Sequence, residues 1–392
     1  MEIEKFFVRW LVMRMRYFDY AATTPVMPDV IKEMIPYLNI EYGNPSSMYS
    51  IGRKNRKAVE ESRAKVAKFI NAKTNEIYFT SCGSESDNLA IKGIMMANKE
   101  KGRHLITTKI EHPAVLNSCK WLESNGFNVT YLNVDSNGKV NLAELENSIR
   151  SDTVLISVMY ANNEVGTIEP IESIGEIARA HGVIFHTDAV QAVGSIQIDV
   201  EKLKVDALSL SGHKIYAPKG IGALYVREGV KFSSIQHGGH QENNKRAGTE
   251  NVAGIVALGK AIDLVIKDFD KYNTNIKQLR DFYISEIESR FDDAKLNGDR
   301  FDRIAGNANI SFKGVDAEQL LLNLDSYGIC ASAGSACTSG LATPSHVLLA
   351  MGLKEEYIQG ALRVSFGLGN TIEDVKFLVD KIGESLKKCR RF

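Results

Sequence analysis

VIFHTDAVQAVGSIQIDVEKLKVDALSLSGHKIYAPKGIGALYV (183–226) contains three apolar runs, and polar, chemically usable residues follow the first two. The runs VIFHT (183–187), VDALSL (205–210) and IGALYV (221–226) read as buried strands, because apolar and β-branched residues fill them almost continuously. Asp188 follows the first run, and Ser211, Gly212, His213 and Lys214 follow the second.

Upstream, the same alternation continues. EIYFT (76–80), HLITT (104–108), 129–132 and TVLISVM (153–159) read as further strands. Residues 54–70 read as a charged amphipathic helix. A second helix follows SCGSES and runs through Ala97, and a third covers 171–181. Strands alternating with helices predict an α/β fold with a mainly parallel sheet covered on both faces. Ligands of such sheets bind at the carboxyl ends of the strands. After Asn251 the pattern changes. A long helical stretch runs from 252 to about 291, followed by a strand (307–312), a helix (317–324), a small-residue loop (331–344), a strand (362–366) and a closing helix from Thr371. This reads as a smaller α+β domain. The expected division is an extension over 1–14, a large domain over 15–265 and a small domain over 266–392, on which the first residues of the fold could also pack.

The chain has 392 residues, 44% hydrophobic and 24% charged, with 48 residues of each sign. That length exceeds what one core usually serves. The balanced charge gives no basic excess for nucleic acid. Five cysteines (Cys82, Cys119, Cys330, Cys337 and Cys389) form no CxxC pair and no zinc-type spacing. An odd number of free thiols points to a reducing compartment, so the expected location is cytoplasmic. The apolar run 6–13 is short and broken by Arg9, so no membrane span is expected there.

Four features recur at successive strand ends. In FTSCGSESDNLA, Gly83 and Ser84 begin a helix, whose open N–H groups suit a phosphate or serve as a plain capping turn. His112 in KIEHPAVL can stack on a flat ring and exchange protons, or be a loop histidine. Asp188 can pair with a pyridinium nitrogen or act as an N-cap. Gln191, three residues on, can face the same side. Lys214 can condense with an aldehyde, or be an ordinary exposed loop lysine. Each is weak alone, but in this order they describe a cup, a ring contact, an acid and an amine around one cofactor.

With these motifs in place, the chain resembles a cysteine desulfurase of the NifS/IscS type, in the class V branch of fold-type I pyridoxal-phosphate (PLP) enzymes. The resemblance spans nearly the whole chain, from YFDYAATTPV (17–26) to the last helix. It rests on EYGNPSS, FTSCGSESDNLA, EHPAV, ANNEVGTI, HTDAVQ, SGHKIYAPKGIG, RAGTEN, GSACTSG and ALRVSFG. It implies a seven-stranded, mainly parallel sheet and PLP as cofactor. Lys214 would hold the cofactor aldehyde, Asp188 the ring nitrogen and Gln191 the ring hydroxyl, with His112 stacking on the ring. Gly83, Ser84, Ser211 and His213 would bind phosphate. Thr249 would reach the phosphate of a neighbouring subunit, which makes the chain a homodimer. Asn162 would lie near the cofactor and Asn44 near the substrate. Arg363 would clamp the substrate carboxylate with its guanidinium fork.

The resemblance also gives the reaction: L-cysteine is converted to L-alanine, and Cys337 keeps the sulfur as a persulfide. Cys337 sits in SAGSACTSGLATPS, a small and polar stretch suited to a moving thiol. His112 is the expected acceptor of its proton. Implied partners are sulfur acceptors such as an iron–sulfur scaffold, or proteins of tRNA and cofactor thiolation. A selenocysteine lyase and a class V aminotransferase share most of these residues. A non-enzymatic scaffold would have lost Lys214, Asp188 or Cys337, and all three are present. The RxGHHC-type loop motif of SufS-like relatives is absent, and His240 stands where relatives often carry glycine.

Overall fold

The computed structural model describes residues 15–334 and 344–389; the extension 1–14 and Cys337 lie outside the described residues. A large sheet is built from β2 (Ile77–Thr80), β3 (His104–Thr108), β4 (Asn128–Leu132), β5 (Thr153–Ser157), β6 (Ile184–Asp188), β7 (Ala207–Ser211) and β8 (Gly222–Val226), with β1 (Arg16–Tyr17) outside it. Its seven strands lie in the order β2-β8-β7-β6-β5-β3-β4. All neighbours are parallel except at β8, which runs against both β7 and β2. The reversal has a local cause. The connection 212–221 is too short for a crossover helix, which a parallel pair requires.

Successive side chains of a strand face opposite sides, and the sheet is packed on both. Ile106, Ile156 and Tyr225 belong to one core cluster, while their neighbours Leu105, Leu155 and Leu224 belong to another. The first cluster also takes in the helices Ser50–Phe69 and Ile171–Ala180, and the second takes in Gly83–Ala97 and Pro113–Glu123. The strand runs therefore read as unbroken apolar stretches, because neither face meets water.

The second body contains a three-stranded antiparallel sheet of β9 (Ala294–Asn297), β10 (Asn307–Phe312) and β12 (Ala361–Ser365), with β10 central. β11 (Ile329–Cys330) pairs with β1 in parallel, and Phe18 enters the small-body core. One helix, Val252–Arg290, joins the two bodies. Its backbone leaves helical geometry at Asp268 (φ −120°, ψ 18°). Residues from Val252 to Val265 pack in the large core, and those from Ile276 to Ile287 pack in the small one. Among the described residues no helix is long and apolar enough to cross a membrane.

Candidate active site

The carboxyl ends of β2, β3, β5, β6 and β7 open onto one cleft. Its wall includes Gly83, Ser84, His112, Asp188, Gln191, Ser211, His213, Lys214 and Arg363. Residues from Gly83 to Lys214 thus meet because parallel strands end on the same edge, and Arg363 joins them from the second body.

The anion-binding end is the start of helix Gly83–Ala97. Cys82 is its N-cap residue and makes no side-chain cap, so the first-turn amides remain open. A side chain at Gly83 would place its Cβ 2.5 Å from Val190 Cγ2, so this approach is closed to larger residues. Ser211 Oγ, at the end of β7, is buried without a hydrogen-bond partner and lies on the same wall. Burial, then the charges of Lys214 and Lys219, push the His213 imidazole down to about 4. It is neutral at physiological pH, and its Nδ1 lies 3.1 Å from Thr23 Oγ1.

Asp188 ends β6 and is 5% exposed. Its Oδ1 accepts from Val190 N at 2.9 Å. Burial pushes its carboxyl upward, while the charges of His112 and Lys214 and the Val190 N–H pull it back. Behind it stands Asp87, which burial and the charge of Asp188 push far up. Two such carboxyls do not both ionise. Asp87 is pushed up the further of the two, so a shared proton favours Asp87 over Asp188. His186 behind them stays neutral, pushed down to about 3 by burial, with its nitrogens at 2.9 Å from Ser157 Oγ and 3.0 Å from Ser209 Oγ.

Lys214 lies in the short turn after β7, and its Nζ donates to the carbonyls of Ala21 and, at 2.9 Å, Ala22. Gln191 Nε2 donates to the same Ala21 oxygen at 3.0 Å. The amine and the amide therefore converge on one point, the early YAATT segment. His112 caps helix Pro113–Glu123, and its Nδ1 accepts from Ala114 N at 3.1 Å. That bond fixes the orientation of the ring.

Arg363, 1% exposed, comes from β12 of the small body. Its Nη2 donates to Asp19 Oδ1 at 2.8 Å and its Nη1 to the Asn163 carbonyl at 3.0 Å.

Three expected residues are not on this wall. The Asn162 side chain is consumed by the ANNEVG turn. Its Nδ2 donates to the Ile110 carbonyl, and its Oδ1 accepts from the amides of Glu164 and Val165. Asn163 takes the place in the cleft. Asn44 is exposed and closes a local turn, with its Oδ1 accepting from Ser46 N at 2.8 Å. Thr249 is exposed and lines a separate hollow with Ser81, Gly220 and Arg246. Sequence reasoning missed Cys82, Asp87, Asn163 and the Ala21–Ala22 carbonyls. YFDYAATTPV was the available signal for the last pair, since the small residues at its centre leave their carbonyls open to Lys214 and Gln191.

These residues fit pyridoxal phosphate. The open helix start and unpartnered Ser211 Oγ suit a phosphate dianion. The buried carboxyl of Asp188 suits a pyridinium nitrogen, and the Lys214 amine and Arg363 lie on the same wall.

Comparisons with known proteins agree with this geometry. A family model described as aminotransferase class-V matches residues 16–378. The chain is 51% identical over 376 residues to a cysteine desulfurase IscS of Clostridium botulinum, covering 95% of each. It is 52% identical over 374 residues to the IscS of Methanosarcina thermophila, covering 95% of this chain and 92% of that one. A solved NifS-like protein superposes with a TM-score of 0.90 at 38% identity, covering 95% and 99% of the two chains. A structure described as SspA in complex with cysteine superposes with a TM-score of 0.81 at 38% identity, covering 90% and 99%.

Proposed function

We propose residue roles for a chain that belongs to the class-V aminotransferase family and is, within it, a PLP-dependent cysteine desulfurase. The observation that carries the proposal is the meeting of Asp188, Lys214 and Arg363 in one cleft, with an open helix start at its far end.

Lys214, Asp188, Gln191, Ser211, His213, Gly83 and Ser84 would hold the cofactor. PLP, when bound, supplies a conjugated ring that spreads negative charge developing at the substrate α-carbon. Asp188 would pair with the ring nitrogen and keep it protonated. The first-turn amides and Ser211 Oγ hold the phosphate. Gln191, beside Lys214, holds the ring hydroxyl. His112, on the same wall, would stack on the ring. Arg363 binds the substrate carboxylate, and Lys214 Nζ takes the proton from the substrate α-carbon.

The sulfur step belongs to Cys337. Its Sγ bonds to the substrate sulfur as the substrate carbon–sulfur bond breaks. The balance is cysteine plus thiol giving alanine plus persulfide, so no outside oxidant or reductant is needed. The thiol must first lose its proton. We assign that proton to His112, the imidazole on the cleft wall.

Thr249 and Asn44, both exposed and away from this cleft, support a homodimer in which each subunit completes its neighbour's site. The sulfur then passes to cytoplasmic acceptors such as an iron–sulfur scaffold. Mass spectrometry of the intact protein after mixing with cysteine tests the assignment. A 32-dalton gain is expected on Cys337, since one sulfur is added (~32 Da). Cys337→Ser should keep the absorbance of bound PLP and lose alanine formation; a variant that still formed alanine at the original rate would overturn the role.

A further inference from the structure

The reading of Arg363 as the anchor of the substrate carboxylate is the premise here, and Asp19 is the residue it leaves unexplained. Asp19 Oδ1 accepts from Arg363 Nη2 at 2.8 Å. Its Oδ2 accepts from Ser332 Oγ at 2.8 Å. Its backbone bridges Ser365 of β12, and its carbonyl accepts from Tyr17 OH at 3.0 Å. Ser332 in turn exchanges backbone hydrogen bonds with Arg363. Each carboxylate oxygen thus has its own donor, and the backbone of Asp19 is pinned at Ser365 and Tyr17, which holds the carboxylate in place when a substrate arrives.

A second carboxylate reaching the same guanidinium must share it with Asp19. Like charges on one cation repel, and more strongly in a partly buried site than in water. We propose that Asp19 is an affinity-setting and positioning residue: it fixes the plane of the Arg363 fork and weakens its hold on amino-acid carboxylates, so that alanine leaves after sulfur transfer. A purely structural ion pair would have the opposite signature, because its loss would only loosen the site.

Asp19→Asn separates the two. An asparagine Oδ1 still accepts from Nη2, and its amide can donate to Ser332 Oγ, so the geometry survives while the charge goes. L-Alanine binding is read from the absorbance change of the PLP-loaded protein. It should tighten by at least about fivefold in the variant. KM for cysteine and kcat should both fall, as product release slows. Ethylamine, which has no carboxylate, should bind both proteins alike. If Asp19→Asn does not fold, Asp19→Ser, also uncharged and able to accept from the guanidinium, carries the same test.

Arg363→Gln distinguishes the inference from its premise. If that variant binds alanine as the original chain does, Arg363 is not the carboxylate anchor and the premise falls. If it loses alanine binding while the uncharged Asp19 variant binds alanine no more tightly than the original chain, the premise stands and the role of Asp19 is overturned.

Discussion

Replacing Glu111 by glutamine should make the apoprotein markedly less sensitive to alkaline pH. Glu111 is fully buried beside His112. Its Oε1 accepts from Thr108 Oγ1 at 2.7 Å and from Met159 N at 3.0 Å, while its Oε2 is buried without a partner. Burial, offset in part by those two donors, pushes the carboxyl from 4.5 up to about 8. The sign follows from proton counting. Between the unfolded value and about 8 the folded chain holds a proton that the unfolded chain has released, so stability falls as pH rises through that window. The distance from 4.5 to about 8, at about 1.4 kcal/mol per pH unit, sets a ceiling of about 5 kcal/mol by pH 8, and about 3 kcal/mol at pH 7. Relaxation around the charged form lowers both figures. Glutamine keeps an oxygen for Thr108 and Met159 and cannot ionise. Urea unfolding of both apoproteins at pH 5, 7 and 9 measures the difference. The variant should gain on the original chain by at least about 2 kcal/mol from pH 5 to pH 9. Parallel stability curves would show that Glu111 titrates normally and refute the reasoning.

Two further outcomes are expected. Asp188→Asn removes the anion that holds the ring nitrogen's proton; alanine formation should drop by at least about a hundredfold while PLP absorbance persists, measured by turnover and spectrum together. Gly83→Val forces a Cβ to within 2.5 Å of Val190 and fills the phosphate approach, so retention of PLP on dialysis should fall and the apoprotein Tm should drop with it.

How much was legible depends on where the information lay. Most strand runs were readable because burial leaves them rich in apolar and β-branched residues. HLITT coincides with β3, and NANISF, which is wholly buried although its polar residues alternate with apolar ones, coincides with β10. TVLISVM was read two residues too long. The strand stops at Ser157, and Met159 turns into the cleft wall instead. β9 (AKLN) was missed, since only one of its four residues is fully buried and its apolar pattern is weak. Asn162 was misplaced for a different reason. An asparagine chosen for a turn and one chosen for a ligand look alike until the amides of Glu164 and Val165 are found on its oxygen.

Local chemistry therefore came from the sequence alone: strands from apolar runs, strand ends from the small and polar residues behind them, and the family from motifs in order. Tertiary structure alone decided which of those residues meet. Lys214 finds the Ala21 and Ala22 carbonyls across 193 and 192 positions, and Arg363 finds Asp19 across 344. Such pairings leave no periodic trace in the chain, because they depend on how two sheets and a long helix are set against each other and not on the spacing of residues along any one of them.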